Sequence, residues 1–576
     1  MKAVHDDLIT EKELDVSVKR LFTARFELGL FDDPVKVKYA HIPFSANDSP
    51  EHRKLALDVA GKSIVLLKND GLLPLKKTAR VAVIGPNAVS LSAIEANYNA
   101  VPSRPVMPLA GIEAMFGAAN VTYAQGSPYV RELSLPVPRT VFHPSAGDAH
   151  FGLKGEYFDN VDFHDAPAMT RVDEQVTFDW NAAAPDKSLD ASHFGVRWTG
   201  TIEVPVAGDY PFSFTLAHCH PCDDAEGLRL FLDDKPVTDQ PQVAGYRRPG
   251  GLMPFTLHFE DVKPHAIRIE YTHKSPLFGA GVTLEWKPPI DAEREAAVAA
   301  AKQADVVLAF VGLSPDLEGE QMPVHLEGFD GGDRTSIELP AVQEKMLEEV
   351  AATGKPLVVV LVNGSALAVD WAKQHANAIV EAWYPGEEGG TAIAQVLTGQ
   401  INPAGRLPVT FYAATKDLPA FDNYSMSSRT YRYFTGTPLW GFGYGLSYSR
   451  FKWTNLKLST KSLDAGSPLV VEADVENVAG PAGDAVSELY LTPPAAPTSP
   501  HLALVGLERT TLAAHARQHV RFTIDARALS TVDANGVRSV RAGDYTLHLG
   551  GSQPDEGPDE SIAASFSIHG DKELPQ

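Results

Sequence analysis

Basic residues are scarce in this 576-residue chain, which has 50 lysines and arginines against 73 aspartates and glutamates and a formal net charge of -23. An acidic chain repels phosphate backbones and anionic lipid head groups, so neither nucleic acid nor a membrane surface is expected as a partner. A neutral substrate such as a sugar is compatible with this charge. No uninterrupted run of about 18 apolar residues occurs, so the sequence predicts no membrane-spanning helix.

Cysteine is nearly absent, since only Cys219 and Cys222 occur, in the segment AHCHPCDD. A local disulfide, two free thiols or a metal site with His218 and His220 are all compatible with this spacing. Structural zinc usually draws a second pair of ligands from elsewhere in the chain, and the sequence has no such pair. A cysteine pair in a loop is therefore favoured, and we predict neither a metal nor a cofactor.

The N-terminal segment MKAVHDDLITEKELDVSVKRLF is charged throughout and has no apolar core, so it does not resemble a signal peptide. Thr10 and Glu13 have the spacing of a capping box, in which each side chain bonds the backbone amide of the other residue. Leu14, Val18 and Leu21 follow at helical spacing, which predicts an amphipathic helix. A chain that opens inside a helical pattern suggests the later part of a longer protein.

Apolar segments of strand type alternate with helical patterns in two separated blocks of the chain. This alternation is typical of a mostly parallel sheet with helices on both faces, an α/β/α sandwich. Strands are predicted at 62–68, 79–85, 120–126, 305–312, 355–364, 378–386 and 406–412, and helices at 51–60, 108–116, 293–303, 340–352 and 389–398.

Two further stretches show period-2 alternation and Gly/Asp turns, which indicate all-β sandwiches. The α/β pattern resumes after the first of them, so that stretch is predicted to be a domain inserted into a loop. The expected domains are a helix and linker at 1–48, the α/β/α segments at 49–144 and 289–425, the inserted β-sandwich at 145–288, a linker at 426–449, and an immunoglobulin- or fibronectin-type sandwich at 450–570.

The segment ALDVAGKS, at 56–63, matches a relaxed phosphate-binding P-loop pattern. A true P-loop follows a strand and opens a helix, so that amides at the helix N-terminus hold the phosphate. Here the helical pattern comes first and the strand-type segment SIVLLK follows, which places Lys62 at a predicted strand start. A nucleotide-binding function is therefore disfavoured.

The segment VGLSPDLEGEQM, at 311–322, is the candidate catalytic loop. It follows a predicted central strand, and parallel sheets bind ligands at the C-terminal ends of their strands. Glu318 and Glu320 flank a glycine there, ahead of the Gly-rich stretch LEGFDGGDRTSIELP and a helix start at Pro340. A solvated acidic loop is the alternative for any pair of glutamates, but a mobile loop with carboxylates at a sheet edge suits a general acid.

Four segments, in this order, resemble glycoside hydrolase family 3: VAGKSIVLLKNDGLLPLKK, GFDGGDRTSIELPAVQEKMLEEV, EAWYPGEEGGTAIAQVLTGQINPAGRLPVTFY and PLWGFGYGLSYSRF. The segment VKRLFTARFELGLFDDP is similar to the helix that follows the (β/α)₈ barrel of that family. The inserted sandwich resembles a protective-antigen-type module found in some members. The resemblance covers nearly the whole chain and implies a retaining β-glycosidase.

In the family, a strand that ends in Val-Gly leads into the loop of the general acid/base, and the resemblance places Glu318 at that position. Glu320 is the second candidate, because some members carry Glu-x-Glu. Retaining enzymes pair this group with a nucleophilic carboxylate about 5–5.5 Å away. In the family the nucleophile is a barrel aspartate; upstream of Arg20 there is no room for a barrel of roughly 250 residues, and the Asp-Trp at 370–371 lies in a helical pattern. No nucleophile is therefore expected in this chain.

Asp333 and Arg334 match the Asp-Arg pair of the family. A salt-bridged loop anchor is the favoured interpretation, with direct sugar contact as the alternative. Aromatic side chains can stack on sugars, but they are more often used in packing between domains. The four aromatic residues concerned are Trp383, Trp440, Phe442 and Tyr444.

Two functions stay open at this point. The chain is expected to be either the C-terminal portion of an exo-acting β-glucosidase or β-xylosidase, or a non-catalytic carbohydrate-binding or scaffold protein derived from one. The expected ligand is an oligosaccharide or β-glycoside, and the expected covalent or trans partner is a (β/α)₈ barrel, without which the chain should be inactive. By the resemblance, the expected location is periplasmic or secreted.

Overall fold

A computed structural model describes residues 2–99, 101–148, 150–217, 226–238, 252–275, 279–554, 556–557 and 561–575. Cys219 and Cys222, together with His218 and His220, lie outside the described residues. Two compact units make up the chain, Met1–Leu55 and Ala56–Gln576.

The unit Met1–Leu55 is built from helices and short 3₁₀ turns. Thr10 caps the helix Glu11–Glu27: the Glu13 amide donates to the Thr10 side chain at 3.3 Å, and the Thr10 amide donates to the Glu13 carboxylate at 2.8 Å. The predicted capping box is confirmed. The other helical elements of this unit are Lys2–His5, Pro34–Lys36, Lys38–His41 and Phe44–Ala46.

A six-stranded sheet forms part of the larger unit. Its strands in chain order are β1 Val65–Asn69, β2 Val81–Ile84, β3 Val121–Ala124, β4 Val306–Gly312, β5 Leu357–Val362 and β6 Ala378–Glu381. Across the sheet the order is β1-β6-β5-β4-β2-β3; β1 is antiparallel to β6, and every other neighbouring pair is parallel. Every residue of β4 and β5 is buried, as expected for strands covered on both faces.

Helices pack on both faces of this sheet, and each face has its own apolar core. The predicted helices are confirmed to within a few residues at their ends. The helices of the larger unit and its border are Pro50–Ser63, Leu91–Glu95, Pro108–Phe116, Ile290–Gln303, Ala341–Ala351, Asp370–His375, Gly389–Leu397 and Thr430–Tyr433, with 3₁₀ turns at Pro86–Ala88, Ala118–Asn120, Arg139–Val141 and Thr415–Asp417.

Two sequence predictions about this part are wrong. The segment 406–412 is not a strand of the sheet, because only Phe411 forms a bridge, with Trp440. Pro408 has no amide hydrogen to donate to a strand ladder. Lys62 lies in the last turn of the helix Pro50–Ser63 rather than at a strand start. The helix nevertheless precedes β1, so the order that argues against a P-loop is confirmed.

Two antiparallel sheets lie between β3 and β4 in the chain and share a core that includes Trp198, Tyr210 and Trp286. One sheet has strands Leu252–Phe259, Gly208–Leu216, Ala280–Trp286 and Leu135–Pro136, with Thr177–Asn181 paired to Ala280–Trp286. The other has strands Lys235–Thr238, Glu226–Leu232, His265–Lys274, His193–Ile202, Leu153–Phe158 and Met169–Asp173, with Phe142–His143 paired to His193–Ile202. We call this pair of sheets the middle sandwich.

The C-terminal part is a second sandwich around a core that includes Trp453, Val471 and Leu547. Its three-stranded sheet has strands Arg450–Leu458, Leu469–Ala479 and Arg517–Ile524. Its five-stranded sheet has strands Ser462–Asp464, Ile562–His569, Gly543–Gly550, Gly483–Thr492 and Ala503–Leu512, and a small sheet has Thr531–Val532, Arg538–Val540 and Lys572–Glu573. The predicted fold class, a mostly parallel α/β sheet with antiparallel sheets and a C-terminal β-sandwich, is confirmed.

Candidate active site

The C-terminal ends of β4, β5 and β6 lie side by side and bring three polar side chains together. Glu318 belongs to the loop after β4, Ser365 follows β5, and Tyr384 follows β6. Ser365 and Tyr384 stand 47 and 66 residues after Glu318 in the chain. Because α/β sheets bind ligands at this edge, the three side chains form the candidate active site.

Both carboxylate oxygens of Glu318 accept hydrogen bonds. The Tyr384 hydroxyl donates to Oε1 at 2.9 Å, and the Ser365 hydroxyl donates to Oε2 at 3.1 Å. Asn97 donates from its side-chain amide to the Glu318 carbonyl oxygen at 2.8 Å. Burial and the nearby charge of Glu318 raise the pKa of Tyr384 far above its usual value, so its hydroxyl remains a donor. The half-buried Glu318 is thus held at its backbone and at its head group.

Arg334 supports the site from beneath Ser365. Its guanidinium donates to the Ser365 hydroxyl at 2.9 Å, to the Ala366 carbonyl at 2.7 Å and to the Ser336 carbonyl at 3.2 Å. Burial lowers the pKa of Arg334, against the opposing effect of the Glu318 charge. Its Nη2 atom is buried without a hydrogen-bond partner. The anchoring contacts are therefore made with neutral oxygens, rather than through the predicted salt bridge, while Asp333 is exposed.

Glu320 has different surroundings, although it is only two residues away. Its side chain is exposed, and its carboxylate accepts a hydrogen bond from the Tyr98 hydroxyl. That hydrogen bond raises the pKa of Tyr98. Tyr98 is 82% exposed, so this pair lies at the surface. Glu320 is therefore not part of the Ser365–Tyr384 cluster.

The loop of Glu318 is fixed at both ends. At its start, Gln343 accepts a hydrogen bond from the Gly312 amide at 2.9 Å and donates one to the Gly312 carbonyl at 2.8 Å. Further on, the Gly319 amide donates to the Gly332 carbonyl at 3.0 Å. A small sheet of strands His325–Leu326, Phe329–Asp330 and Asp333–Arg334 follows the loop, and Gly332 lies in the turn between its last two strands. A Cβ atom at Gly332 would lie 2.2 Å from the Gly319 oxygen, so the two backbones require a glycine there.

The middle sandwich borders this loop. Asp316, two residues before Glu318, accepts hydrogen bonds from Ser92 at 2.8 Å and Ser314 at 2.7 Å. Glu285, on the sandwich strand Ala280–Trp286, interacts electrostatically with Asp316. Burial raises the pKa of Glu285 to about 7, and Asp316 adds to that rise. The loop that carries Asp316 and Glu318 therefore lies near this strand of the sandwich.

A buried carboxyl group lies under the site and was not identified from the sequence. Glu381, the last residue of β6, is fully buried, and burial raises its pKa to about 8. It accepts a hydrogen bond from the Trp383 amide at 2.9 Å and from the Asn363 side chain at 3.2 Å, and Asn363 also donates to the Ser365 carbonyl at 2.8 Å. Glu381 thus connects the backbones that carry Ser365 and Tyr384. Its only sequence signal is a charged residue at the end of an otherwise apolar strand.

The aromatic candidates lie in packed surroundings. Trp440 is buried against Phe411, with ring centroids 6.2 Å apart, and the Trp383 indole donates to the Ser63 carbonyl at 3.1 Å. Phe442 stacks on Tyr431 at 4.4 Å, and Tyr431 contacts Tyr490 of the C-terminal sandwich. The Tyr444 hydroxyl donates to the Leu67 carbonyl at 3.3 Å. These contacts favour the packing interpretation over sugar stacking.

Within the described ranges, no group of three or more His, Cys, Asp and Glu side chains could hold a metal ion. No helix in the same ranges is long and apolar enough to cross a membrane. The cluster itself consists of a carboxylate, two hydroxyls and a guanidinium. Such groups can position a polar ligand and exchange a proton with it.

Residues 64–448 match the glycosyl hydrolase family 3 C-terminal domain, which is more than half of the chain. The chain belongs to glycoside hydrolase family 3. Residues 485–553 match a fibronectin type III-like domain, and they lie in the C-terminal sandwich. The family resemblance seen in the sequence is confirmed.

Curated relatives of this family 3 chain include glycosidases of two kinds. A xylan 1,4-beta-xylosidase of Xylanibacter ruminicola is 33% identical, over 96% of this chain and 63% of its own length. A beta-glucosidase of Rhizobium radiobacter is 32% identical, over 98% of this chain and 68% of its own length. The chain therefore spans about two-thirds of the length of these relatives.

Solved structures share the fold. A beta-glucosidase from Kluyveromyces marxianus in complex with glucose superposes with a TM-score of 0.64 at 24% identity, over 92% of this chain and 63% of its own. A beta-glucosidase from Listeria innocua in complex with isofagomine gives a TM-score of 0.62 at 20% identity, over 99% of this chain and 57% of its own. At these identities the comparison shows the fold alone.

Proposed function

We propose that this chain supplies the acid/base part of a retaining exo-β-glycosidase site and that Glu318 is the general acid/base. The observation that carries the proposal is the contrast between two neighbouring glutamates. Glu318 is half-buried at the C-terminal ends of three strands, with Ser365 and Tyr384 on its two oxygens. Glu320 is exposed. Family membership and the beta-xylosidase and beta-glucosidase relatives support the reaction class.

In the proposed reaction, the Glu318 carboxyl group gives its proton to the leaving glycosidic oxygen. The carboxylate that remains then takes a proton from the water that releases the sugar. Ser365 and Tyr384 fix the plane of the carboxyl group, so that it faces one direction through both steps. Arg334 holds the Ser365 hydroxyl in place by donating a hydrogen bond to it.

The nucleophile is proposed to come from a (β/α)₈ barrel, as a covalent or trans partner of this chain. Asp370, of the Asp-Trp pair, begins the helix Asp370–His375, is exposed and accepts a hydrogen bond from Gln374 at 2.6 Å, so it is not offered as a nucleophile. We also propose the domain limits predicted from the sequence. The same proposal assigns the middle sandwich to the protective-antigen type. The substrate is proposed to be a terminal β-linked glucoside or xyloside.

Kinetics of Glu318→Ala and Glu320→Ala test this proposal. In protein that carries the barrel, Glu318→Ala should lower kcat/KM for an alkyl β-glycoside by about 10²–10⁴-fold, the usual contribution of a general acid. A 2,4-dinitrophenyl glycoside should lose much less, because its leaving group needs no proton. Glu320→Ala should change both substrates by less than about threefold.

The chain without a barrel is the baseline of this experiment, and it should not hydrolyse either substrate, because a retaining site without its nucleophile keeps little activity. A leaving-group dependence that follows Glu320 instead would move the assignment to that residue. Turnover with retention by the chain alone would place a nucleophile within it. No turnover by the chain together with a barrel would favour the non-catalytic carbohydrate-binding function.

A further inference from the structure

A cluster of arginines lies on one face of the middle sandwich. This face is positively charged, although the chain as a whole is acidic. It spans three neighbouring strands of the larger sheet, Glu226–Leu232, His265–Lys274 and His193–Ile202. In the strand register Arg229 stands opposite Glu270, and Glu270 stands opposite Arg197. Arg268 lies two residues before Glu270 and therefore points to the same face. We call Arg197, Arg229, Arg268 and Glu270 the arginine face.

All three guanidinium groups contact the same carboxylate. Arg268 Nη1 lies 2.5 Å and Arg197 Nε 3.1 Å from Glu270 Oε1, and Arg229 Nε lies 3.4 Å from Oε2. The Glu270 side chain is 4% exposed, whereas those of the arginines are 27–44% exposed. Among the described residues, Glu270 balances one guanidinium. Glu156, opposite Arg197 on the next strand, pairs with Lys154, so the described part of the face keeps two surplus positive charges. A single arginine would have sufficed to neutralise Glu270.

Aromatic rings hold two of these arginines in place. The Arg268 guanidinium lies 3.6 Å from the centroid of the Phe231 ring, and the Arg197 guanidinium lies 4.7 Å from that of Phe163. A stacked guanidinium has lost much of its side-chain freedom before any ligand arrives, which lowers the cost of binding. Each arginine meets Glu270 through one nitrogen atom, whereas a guanidinium carries five N–H donors in a planar fork.

We propose that the arginine face binds a carboxylate-bearing sugar, a hexuronate residue of an otherwise neutral glycan. The planar fork of arginine matches a carboxylate with two parallel hydrogen bonds. The net charge of -23 on the whole chain disfavours a dense polyanion, whose charges would be repelled beyond the patch, but it penalises an isolated carboxylate far less. This binding site is separate from the proposed catalytic function and does not require it.

Calorimetric titration of the chain with two matched oligosaccharides tests the proposal. One is a xylotetraose that bears a single glucuronosyl substituent, and the other is unsubstituted xylotetraose. At 20 mM salt the substituted sugar should bind with Kd on the order of 0.1–1 mM, as expected for a few solvent-exposed charge-assisted hydrogen bonds. It should bind at least tenfold more tightly than the neutral sugar, and that advantage should shrink at 300 mM salt.

Paired variants locate the site. Arg229→Gln together with Arg268→Gln should weaken binding of the substituted sugar at least tenfold and leave the weak binding of neutral sugar unchanged. Arg521→Gln is the matched control: this exposed arginine of the C-terminal sandwich also pairs with a glutamate, Glu472, at 3.3 Å. Circular dichroism and thermal unfolding establish that each variant is folded.

Three outcomes would overturn the proposal. The first is equal affinity for the two sugars, and the second is an effect of Arg521→Gln as large as that of the double variant. The third is tighter binding of a sulfated tetrasaccharide than of the glucuronosyl sugar, which would assign the face to sulfate. Arg229→Gln alone, at an exposed position, gives a second reading if the double variant does not fold, and it should weaken binding at least threefold.

Discussion

Glu381 shows at the residue scale how a buried group can shape a site without facing it. It accepts the amide of Trp383, which has a positive φ of 59° without being a glycine. Left-handed backbone at a bulky residue costs free energy, so the hydrogen bond to Glu381 supports a conformation that the chain would otherwise avoid. Tyr384, which holds Glu318, is the next residue. The position of the Tyr384 hydroxyl therefore depends on a carboxyl group inside the protein.

Glu381→Gln should change how stability depends on pH. The pKa of Glu381 is about 8 in the fold, above the usual value of 4.5, so the folded protein binds a proton that the unfolded chain has lost. Between these two values each pH unit costs the wild type up to about 1.4 kcal/mol of unfolding free energy through this group. The cost is absent below pH 4.5 and complete above pH 8. The glutamine variant lacks it, so its stability relative to wild type should increase from pH 5 to pH 8.

Denaturant unfolding at pH 5, 6.5 and 8, followed by hydrogen exchange in peptides that cover 378–386, measures this difference. Glu295→Gln is the control, because Glu295 is exposed on the helix Ile290–Gln303. A Glu381→Gln variant whose relative stability is the same at all three pH values would show that Glu381 does not hold a proton in the fold.

Part of the site could be predicted at this scale and part could not. Glu318 follows an apolar run in a Val-Gly context, which is a local signal. Ser365 and Tyr384 lie 47 and 66 residues away and reach Glu318 only because β4, β5 and β6 are neighbours in the sheet. Strand order is not encoded in local periodicity. The sequence likewise predicts a salt bridge for Arg334, whereas the fold brings the neutral oxygens of Ser336, Ser365 and Ala366 to its guanidinium.

At the scale of elements, the small sheet at 325–334 acts as a support for the catalytic loop. The Gly319 amide donates to Gly332, and the Met322 amide donates to Gly331 at 2.9 Å. Both glycines have positive φ, but only Gly332 lies against another backbone. A substitution at Gly331 therefore tests backbone strain alone. A substitution at Gly332 tests backbone strain together with the close approach to Gly319.

Gly332→Ala should loosen the loop, while Gly331→Ala should not. Both variants pay roughly 1–2 kcal/mol for an alanine in left-handed backbone, but only the Cβ at 332 meets the Gly319 oxygen, at 2.2 Å, whereas the Cβ at 331 meets nothing within 4 Å. Faster hydrogen exchange in peptides covering 314–322 is expected for Gly332→Ala alone. Equal exchange in the two variants would mean that the small sheet does not hold the loop.

Regular elements were predictable where the pattern was strong. Helix Pro108–Phe116 and strand β4 have the apolar periodicities of their type and agree with the sequence prediction to within a residue. The segment 406–412 has the composition of a strand, yet its proline prevents ladder pairing and Phe411 pairs with a distant tryptophan instead. Apolar composition alone does not distinguish β4 from the segment 406–412. The segment 406–412 does not form a strand because its proline cannot donate a backbone hydrogen bond.

At the scale of the whole molecule, Arg139 links the α/β sheet region to the middle sandwich. Its side chain, 11% exposed, pairs with Glu113 on the helix Pro108–Phe116 and, at 2.7 Å, with Glu174 next to the strand Met169–Asp173. The largely buried Arg139 guanidinium thus lies between two carboxylates from different layers. Removing it would leave the partly buried Glu113 carboxylate without its ion-pair partner. Arg139 is therefore a contact between the middle sandwich and the α/β region.

Arg139→Met should destabilise the protein by about 1–3 kcal/mol, less than a fully buried pair because Glu174 is 63% exposed. Thermal unfolding measures the change. Arg139→Met combined with Glu113→Gln should recover part of the loss, since the orphaned carboxylate is then removed. Arg80→Met, which breaks the exposed pair with Asp305, is the control and should have little effect. No recovery in the double variant would mean that the loss comes from packing rather than charge.

The position of the middle sandwich in the chain affects how the protein is made. Strands β2 and β4 are neighbours in the sheet, yet β2 ends at Ile84 and β4 begins at Val306. At about 5–20 residues per second, a ribosome takes on the order of 10–40 s to synthesise the chain between them. During that interval one edge of β2 has no partner, while the strands of the sandwich are synthesised and can pair among themselves. All strands of the sandwich are therefore synthesised before β4, and we expect the sheet to close only after the sandwich has been made.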